Sequence, residues 1–174
     1  MLYAIAAVDR EWGIGRNGKL LFSIPDDLKQ FKQKTMGTYV IMGRKTFESL
    51  PGAKPLPGRD NIVITKSESF ETQHPDVIVC HDPHDAAKAA AENPWRDIYV
   101  IGGGMIYQQM LPYCHKAFIT KVDGHFPADT FFPCLDELPN WKAEKTGEGE
   151  WNGYHYEYIT YSNTSPETSH EDIL

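Results

Sequence analysis

Short, mainly apolar runs recur along the chain: Leu2–Val8, Tyr39–Met42, Asn61–Thr65, Val77–Cys80 and Asp97–Ile101. Runs without polar alternation are what strands covered on both faces require. Between them lie helical segments. Pro25 opens one that reaches about Met36 and stops at Gly37, with Asp26 and Asp27 near its positive end. Gly43 leads into a short one ending at Leu50. Asp82 caps a third, with Pro83 at its start and Asn93-Pro94 after its end. Gly102-Gly103-Gly104 turns into a fourth that reaches about Leu111. Lys116–Val122 is a further strand. From about Trp141 the pattern shifts to period two, and Tyr154–Tyr161 suits an antiparallel strand. The glycine-rich stretch Asp9–Gly18 and the proline-rich stretch Pro51–Gly58 predict loops. Strands alternating with helices predict crossover units. The fold class is therefore α/β, a single domain on a mainly parallel sheet, made mixed by its last strands. The domain is expected over 1–162, with 163–174 a polar, disordered tail.

Composition narrows the class. The 174 residues are 41% hydrophobic and 24% charged, enough for a core and against global disorder. No apolar run approaches the ~20 residues of a membrane span. Met1–Val8 has no basic flank and reads as a first strand, not a secretion signal. Cys80, Cys114 and Cys134 form no CxxC, so reduced thiols in the cytoplasm are expected, with no disulfide frame and no metal site. A net charge of −7 sets nucleic-acid binding aside. It also makes local clusters of basic residues informative, because they run against the global sign.

Four features could carry chemistry. Helical spacing puts Asp27 on one face with Leu28 and Phe31, and Asp26 beside Lys29, Gln30 and Gln33. Asp27 is then either a helix-start carboxylate bonded to local amides or a ligand-facing acid with a raised pKa. Gly102-Gly103-Gly104 fits either a phosphate on helix-start amides or tight strand-to-helix packing. Gly43-Arg44-Lys45-Thr46, with Lys66 after a neighbouring strand, fits either an anion site or a solvated basic turn. Arg59 is either a surface arginine or a planar fork for a carboxylate.

Together these segments resemble dihydrofolate reductases of the bacterial chromosomal type. The resemblance rests on Ile5-Ala6-Ala7, Gly13-Ile14-Gly15, Ile24-Pro25-Asp26-Asp27-Leu28, Val40 to Ser49, Pro55-Leu56-Pro57-Gly58-Arg59, Val100 to Gly104 with Tyr107, and Asp129-Thr130-Phe131-Phe132-Pro133, in family order. It implies an eight-stranded, mostly parallel sheet with flanking helices, and reduction of 7,8-dihydrofolate to tetrahydrofolate with NADPH as cofactor. By the resemblance Asp27 pairs with the pteridine and is linked to Thr120. Ile5, Ala6, Leu28, Phe31, Leu50, Leu56 and Ile101 line the folate cleft, with Ile5 and Ile101 offering backbone carbonyls. Arg59 holds the glutamate tail. Ala7, Ile14, Ile101 and Tyr107 bound the nicotinamide, near Gly15 and Gly18. Gly43, Lys45, Thr46, Gly103, Gly104, Met105 and Ile106 serve the pyrophosphate side, and Arg44, Thr65 and Lys66 the 2′-phosphate. Asp9–Ile24 is a lid whose Leu20 and Phe22 act at the catalytic centre. A cis Gly102–Gly103 bond is also implied. The expected partners are dihydrofolate and antifolate inhibitors, with neither nucleic acid nor membrane, acting on a monomer.

The lid departs from the family pattern. Leu20-Leu21-Phe22 stands where relatives have Leu-Pro-Trp or Met-Pro-Trp, removing a fixed φ and an indole donor. Ala128 stands where many relatives have glycine. Two other functions fit the same residues less well: a pyrimidine reductase of the riboflavin pathway on this fold, and a folate- or nucleotide-binding protein without turnover.

Overall fold

The computed structural model describes residues 1–167. Eight strands form one sheet. In spatial order they are β10 (Trp141–Trp151), β11 (Tyr154–Asn163), β8 (Lys116–Val122), β1 (Leu2–Val8), β7 (Ile98–Gly102), β4 (Tyr39–Gly43), β5 (Asp60–Ile64) and β6 (Ile78–Cys80). The six strands from β8 to β6 run parallel, and β11 and β10 add on antiparallel. Five α-helices accompany them: α1 (Pro25–Thr35), α2 (Arg44–Ser49), α3 (Phe70–Gln73), α4 (Pro83–Ala91) and α5 (Gly104–Met110).

The apolar runs are explained by the core. Alternate residues of one strand feed two clusters on opposite faces of the sheet. Ile41, Ile62, Ile98 and Val100 join Ala86, Ala87 and Met110 on the face that carries α4 and α5. Val40, Met42, Val63 and Tyr99 join Phe47 and Phe70 on the other. Where only one face is covered the alternation returns, as in β10, which is exposed over most of its length. Its turn to β11 is a two-residue hairpin with positive φ at Asn152 and Gly153, the geometry such hairpins need.

The structure corrects the sequence reading in several places. The stretch Asp9–Gly18 is not all loop. It contains β2 (Gly13–Arg16), and β3 (Lys19–Leu20) follows; with β9 (Thr130–Phe131) they form a second, three-stranded sheet. These strands are too short for periodicity to reveal. Helix α3 also went unsignalled. The tail boundary at 162 falls too early. Asn163 belongs to β11 and is buried, its amide donating to the Cys114 carbonyl at 3.0 Å. Thr164 and Glu167 donate backbone N–H groups to Asn140 and Pro112. The rest of the expected tail, 168–174, lies outside the described residues.

Parallel pairing has one consequence for chemistry. The carboxyl ends of β1, β4, β5 and β7 lie together, so the segments that follow them meet at one edge of the sheet. Those segments are the lid, the Arg44–Thr46 turn, Thr65-Lys66 and the glycine turn.

Candidate active site

Asp27 sits in the first turn of α1, whose cap residue Ile24 offers no side-chain bond. Asp26 is exposed and Asp27 half-buried, as the helical spacing predicts. The Thr120 hydroxyl, buried on β8, donates to Asp27 Oδ1 at 2.5 Å. Burial pushes the Asp27 carboxyl above its ordinary range, and the Thr120 bond partly opposes it. The bond identifies Asp27 as an acid held by a tertiary contact, not a helix-start carboxylate bonded to local amides.

One wall beside it is apolar. Ile5, Leu50, Leu56 and Ile101 pack, half-buried, against the same core cluster. Phe31 is half-buried and Leu28 is 49% exposed, its side chain available to a ligand. The Ile5 carbonyl is already engaged: the buried Tyr107 hydroxyl donates to it at 2.6 Å, so one lone pair remains for a ligand. Burial and the nearby Asp27 charge both push the Tyr107 phenol upward, keeping it a neutral donor.

Arg59 is pinned. Its Nε donates to the Pro57 carbonyl at 3.0 Å and its Nη1 to Thr35 Oγ1 at 3.1 Å. The remaining N–H groups are the ones a carboxylate could take. Sequence reasoning missed the residue that builds this loop. Asn61, buried, accepts from Leu56 N and donates to the carbonyls of Leu56 and Arg59. A buried asparagine inside an apolar strand was its signal.

Across the sheet edge lies the basic turn. Arg44 and Lys45 are exposed, with Glu48 3.6 Å from Arg44 Nε, and Lys66 is exposed beyond β5. Register places Gly43 opposite Ile64, so Arg44 and Thr65 are the next neighbours along. Thr65 is buried and accepts from the Ser67 amide. Gly102 and Gly103 are joined by a cis peptide bond. A Cβ on Gly104 would stand 2.9 Å from Thr130 Cγ2 and 3.1 Å from the Phe131 carbonyl, so glycine is needed for β9 to lie against the start of α5. Tight packing therefore accounts for one of the three glycines. Gly103 is open but for Thr46 Oγ1, 3.5 Å from where its Cβ would be. Met105 is exposed, whereas Ile106 is buried beneath Gly43 and faces the core instead of the turn surface.

The lid is tied at its base. Asp9, 1% exposed, accepts from the amides of Glu11, Gly13 and Phe126 at 2.9, 2.8 and 3.0 Å. Ala128 packs so closely that a Cβ on Gly13 would come within 2.7 Å of its methyl. Asp129 accepts from the Asn17 amide at 2.9 Å and donates its own amide to Gly15. The Asn17 and Thr130 bonds hold the Asp129 carboxyl below its usual range. Ile14 is buried and Gly18 lies at the exposed tip, with φ +74°.

Leu20 and Phe22 have different surroundings, and Ala7 borders the cluster that holds Phe22. Leu20 is 78% exposed at the tip. Phe22 turns into a socket, edge-on to Phe126 at 5.0 Å and Trp151 at 5.8 Å between ring centroids, with Ile24, Val122 and Tyr156 around it. Its role there is to anchor the lid by apolar packing.

Among the described residues no three His, Cys, Asp or Glu side chains are grouped to hold a metal ion, and no helix is long and apolar enough to cross a membrane.

The chain matches the family model for dihydrofolate reductase over residues 1–163. A dihydrofolate reductase of Bacillus subtilis is 36% identical, over 92% of this chain and 94% of that one. One of Buchnera aphidicola is 38% identical, over 88% and 94%. A bifunctional dihydrofolate reductase-thymidylate synthase of Daucus carota is 41% identical over 76% of this chain, which spans 28% of that relative's length. Among solved structures, a dihydrofolate reductase from Enterococcus faecalis, complexed with NADP(H) and the compound RAB-propyl, aligns with a TM-score of 0.79 and 32% identity, over 95% of this chain and 97% of that one. With Asp27 on Thr120, Arg59 pinned beside an apolar wall, and a glycine turn facing a basic one, the chain belongs to the dihydrofolate reductase family.

Proposed function

We propose that this protein reduces 7,8-dihydrofolate to 5,6,7,8-tetrahydrofolate with NADPH, and that the residues gathered at the sheet edge carry the reaction. The observation that carries this assignment of roles is the bond from Thr120 to the half-buried Asp27, in a space that Ile5 also lines. Asp27 takes the pteridine amino group and ring nitrogen. Thr120 holds the carboxylate so that its free oxygen faces the ligand. Arg59 takes the α-carboxylate of the glutamate tail through its unpinned N–H groups.

The residues present fit the cofactor. Gly103 leaves room for close backbone approach. Arg44 and Lys66 supply positive charge for the 2′-phosphate in a chain whose net charge is −7. Lys45 and Thr46 serve the pyrophosphate. NADPH supplies the hydride when bound. The chain's part is to hold two rings face to face and exclude water, the latter through a lid fixed by Asp9 and Asp129. Asp27 binds and polarises the pteridine; water brings the proton to the ring nitrogen beside the reduced carbon. The protein acts as a cytoplasmic monomer and takes antifolates in the same cleft.

Mixing protein, NADPH and dihydrofolate and following the absorbance of reduced nicotinamide tests the reaction directly. The phosphate assignment has its own test. Arg44→Gln weakens NADPH binding roughly 10- to 100-fold, the loss of one charge-assisted contact, and leaves NADH nearly unchanged. Titration with each nucleotide measures it, and equal weakening of both would remove Arg44 from the 2′-phosphate.

A further inference from the structure

A cavity of ≈ 30 Å³ lies between α1 and the β8–β11 side of the sheet, and Asp27 is part of its wall. The rest of the polar lining comes from residues that the cleft does not use: Gln30, Lys34, Thr146, Tyr158 and Thr160.

The sequence builds this space on purpose of shape. Tyr158 is the cross-strand partner of Thr120, so both side chains stand on the face that α1 covers. Opposite Tyr158 and Tyr156 on the edge strand β10 stand Gly147 and Gly149. A Cβ on Gly147 would be 3.2 Å from Tyr158 Cδ2, and one on Gly149 would be 2.4 Å from the Tyr156 hydroxyl. The two rings therefore lie across glycines of the edge strand and leave the space behind Asp27 unfilled. Gln30 lies three residues beyond Asp27 and, although the sequence pattern groups it with Asp26, it lines the same cavity as Asp27. Lys34 lies over another lining residue, with its Nζ 4.0 Å from the centre of the Phe118 ring.

A space of this size with several polar neighbours meets the requirements of a bound water, which needs two to four partners. We propose that Gln30 and Tyr158 hold a water molecule against the Asp27 carboxylate from inside this cavity, and are positioning residues for the acid that binds the pteridine. This rests on the reading of Asp27 given above. A carboxylate covered by substrate on its cleft side then keeps one solvated side, and stays anionic where burial alone would favour the neutral acid. The other charged or titratable groups around it are Asp26 and Lys34 on α1, Tyr107 on α5, and Tyr158 on β11 with Tyr156 bonded to it; β1 and β8 present Ile5 and Thr120, which do not titrate. Burial, a hydrogen bond with Tyr156 and the Asp27 and Asp26 charges push the Tyr158 phenol upward, so it stays neutral, and its oxygen lone pairs are what it offers a water.

The test is the titration of the Asp27 carboxyl carbon by NMR in ligand-free protein, assigned by its loss in Asp27→Asn. Gln30→Leu and Tyr158→Phe are each expected to raise the Asp27 pKa by about half a unit or more. The double variant shifts it by less than the sum, because both act through one water. A residue that only packs would change the melting temperature and leave this titration in place. Should Gln30→Leu fail to fold, Tyr158→Phe removes a single oxygen and carries the test alone. Titrations of the variants within roughly 0.2 unit of the parent would overturn the proposal. Failure of the Asp27 reading itself shows separately, as undiminished dihydrofolate turnover in Asp27→Asn.

Discussion

Asp27→Asn is expected to fold and bind NADPH, yet to transfer hydride to dihydrofolate at neutral pH about 10²- to 10³-fold more slowly. An amide fills the same space and still accepts from Thr120, so the geometry at Oδ1 survives. What is lost, on the role proposed for Asp27, is the negative charge that stabilises the pteridine as it gains a proton. Activity recovers in part at acidic pH, where substrate carries its own proton. Single-turnover rates across pH measure this, and an unchanged rate at neutral pH would move the role to another group. The substitution has a second, opposite effect on stability. Burial raises the folded-state pKa of Asp27 above its unfolded value. The native state then binds the proton more tightly than the unfolded chain, so stability falls as pH rises through that window. The ionised acid is a burden on the free protein at neutral pH. Asp27→Asn should melt higher than the parent there, and the gain should vanish below the unfolded carboxyl range, where both forms are neutral.

Asp9→Ala should cost the fold about 2–4 kcal/mol. Its carboxylate is the sole side-chain acceptor given to three backbone amides, those of Glu11, Gly13 and Phe126. Each buried amide left unpaired costs ~1–3 kcal/mol, and removing a desolvated charge offsets part of the sum. For a chain of this length that lowers the melting temperature by roughly 5–15 °C. The loss falls on the lid, since the three amides join its first turn to the segment before β9. Asp9→Asn should lie between, because Glu11 and Gly13 both use Oδ1 whereas Phe126 uses Oδ2, where an amide would set donor against donor. Calorimetry on the three proteins decides it; an alanine variant melting within about 2 °C of the parent would show that water replaces the carboxylate at no cost.

Asp27 and Asp9 also mark what can be read from a chain and what cannot. The strands of the core are legible because both their faces are covered, and no other arrangement needs Tyr39–Met42 or Ile98–Ile101 to be apolar throughout. Asp27 is legible because helical spacing separates it from Asp26. Its link to Thr120 came from the family resemblance, since no local rule joins residues 93 positions apart. Asp9 is hidden for the same reason, since it serves backbone amides alone and such partners leave no mark in the side-chain pattern, whereas Asn61 shows only as a polar residue at the start of an apolar strand. Phe22 shows the limit of borrowed positions. The resemblance placed it with Leu20 at the catalytic centre, but Phe126 and Trp151 make an aromatic socket that draws it inward while Leu20 remains outside.

The place of β1 in the sheet governs how this chain can be born. It is synthesised well before its neighbours β7 and β8, which it meets through pairs such as Leu2 with Ile98 and Ala6 with Ile119. At ~5–20 residues per second, its first partner emerges some seconds later. During that interval β4, β5 and β6 can pair with one another, and β2 with β3, while the apolar Leu2–Val8 segment waits for both of its neighbours in the main sheet. The nascent chain is therefore most prone to association with other chains in that window, and a chaperone that shields apolar N-terminal segments should raise the yield of soluble protein more than one acting after release.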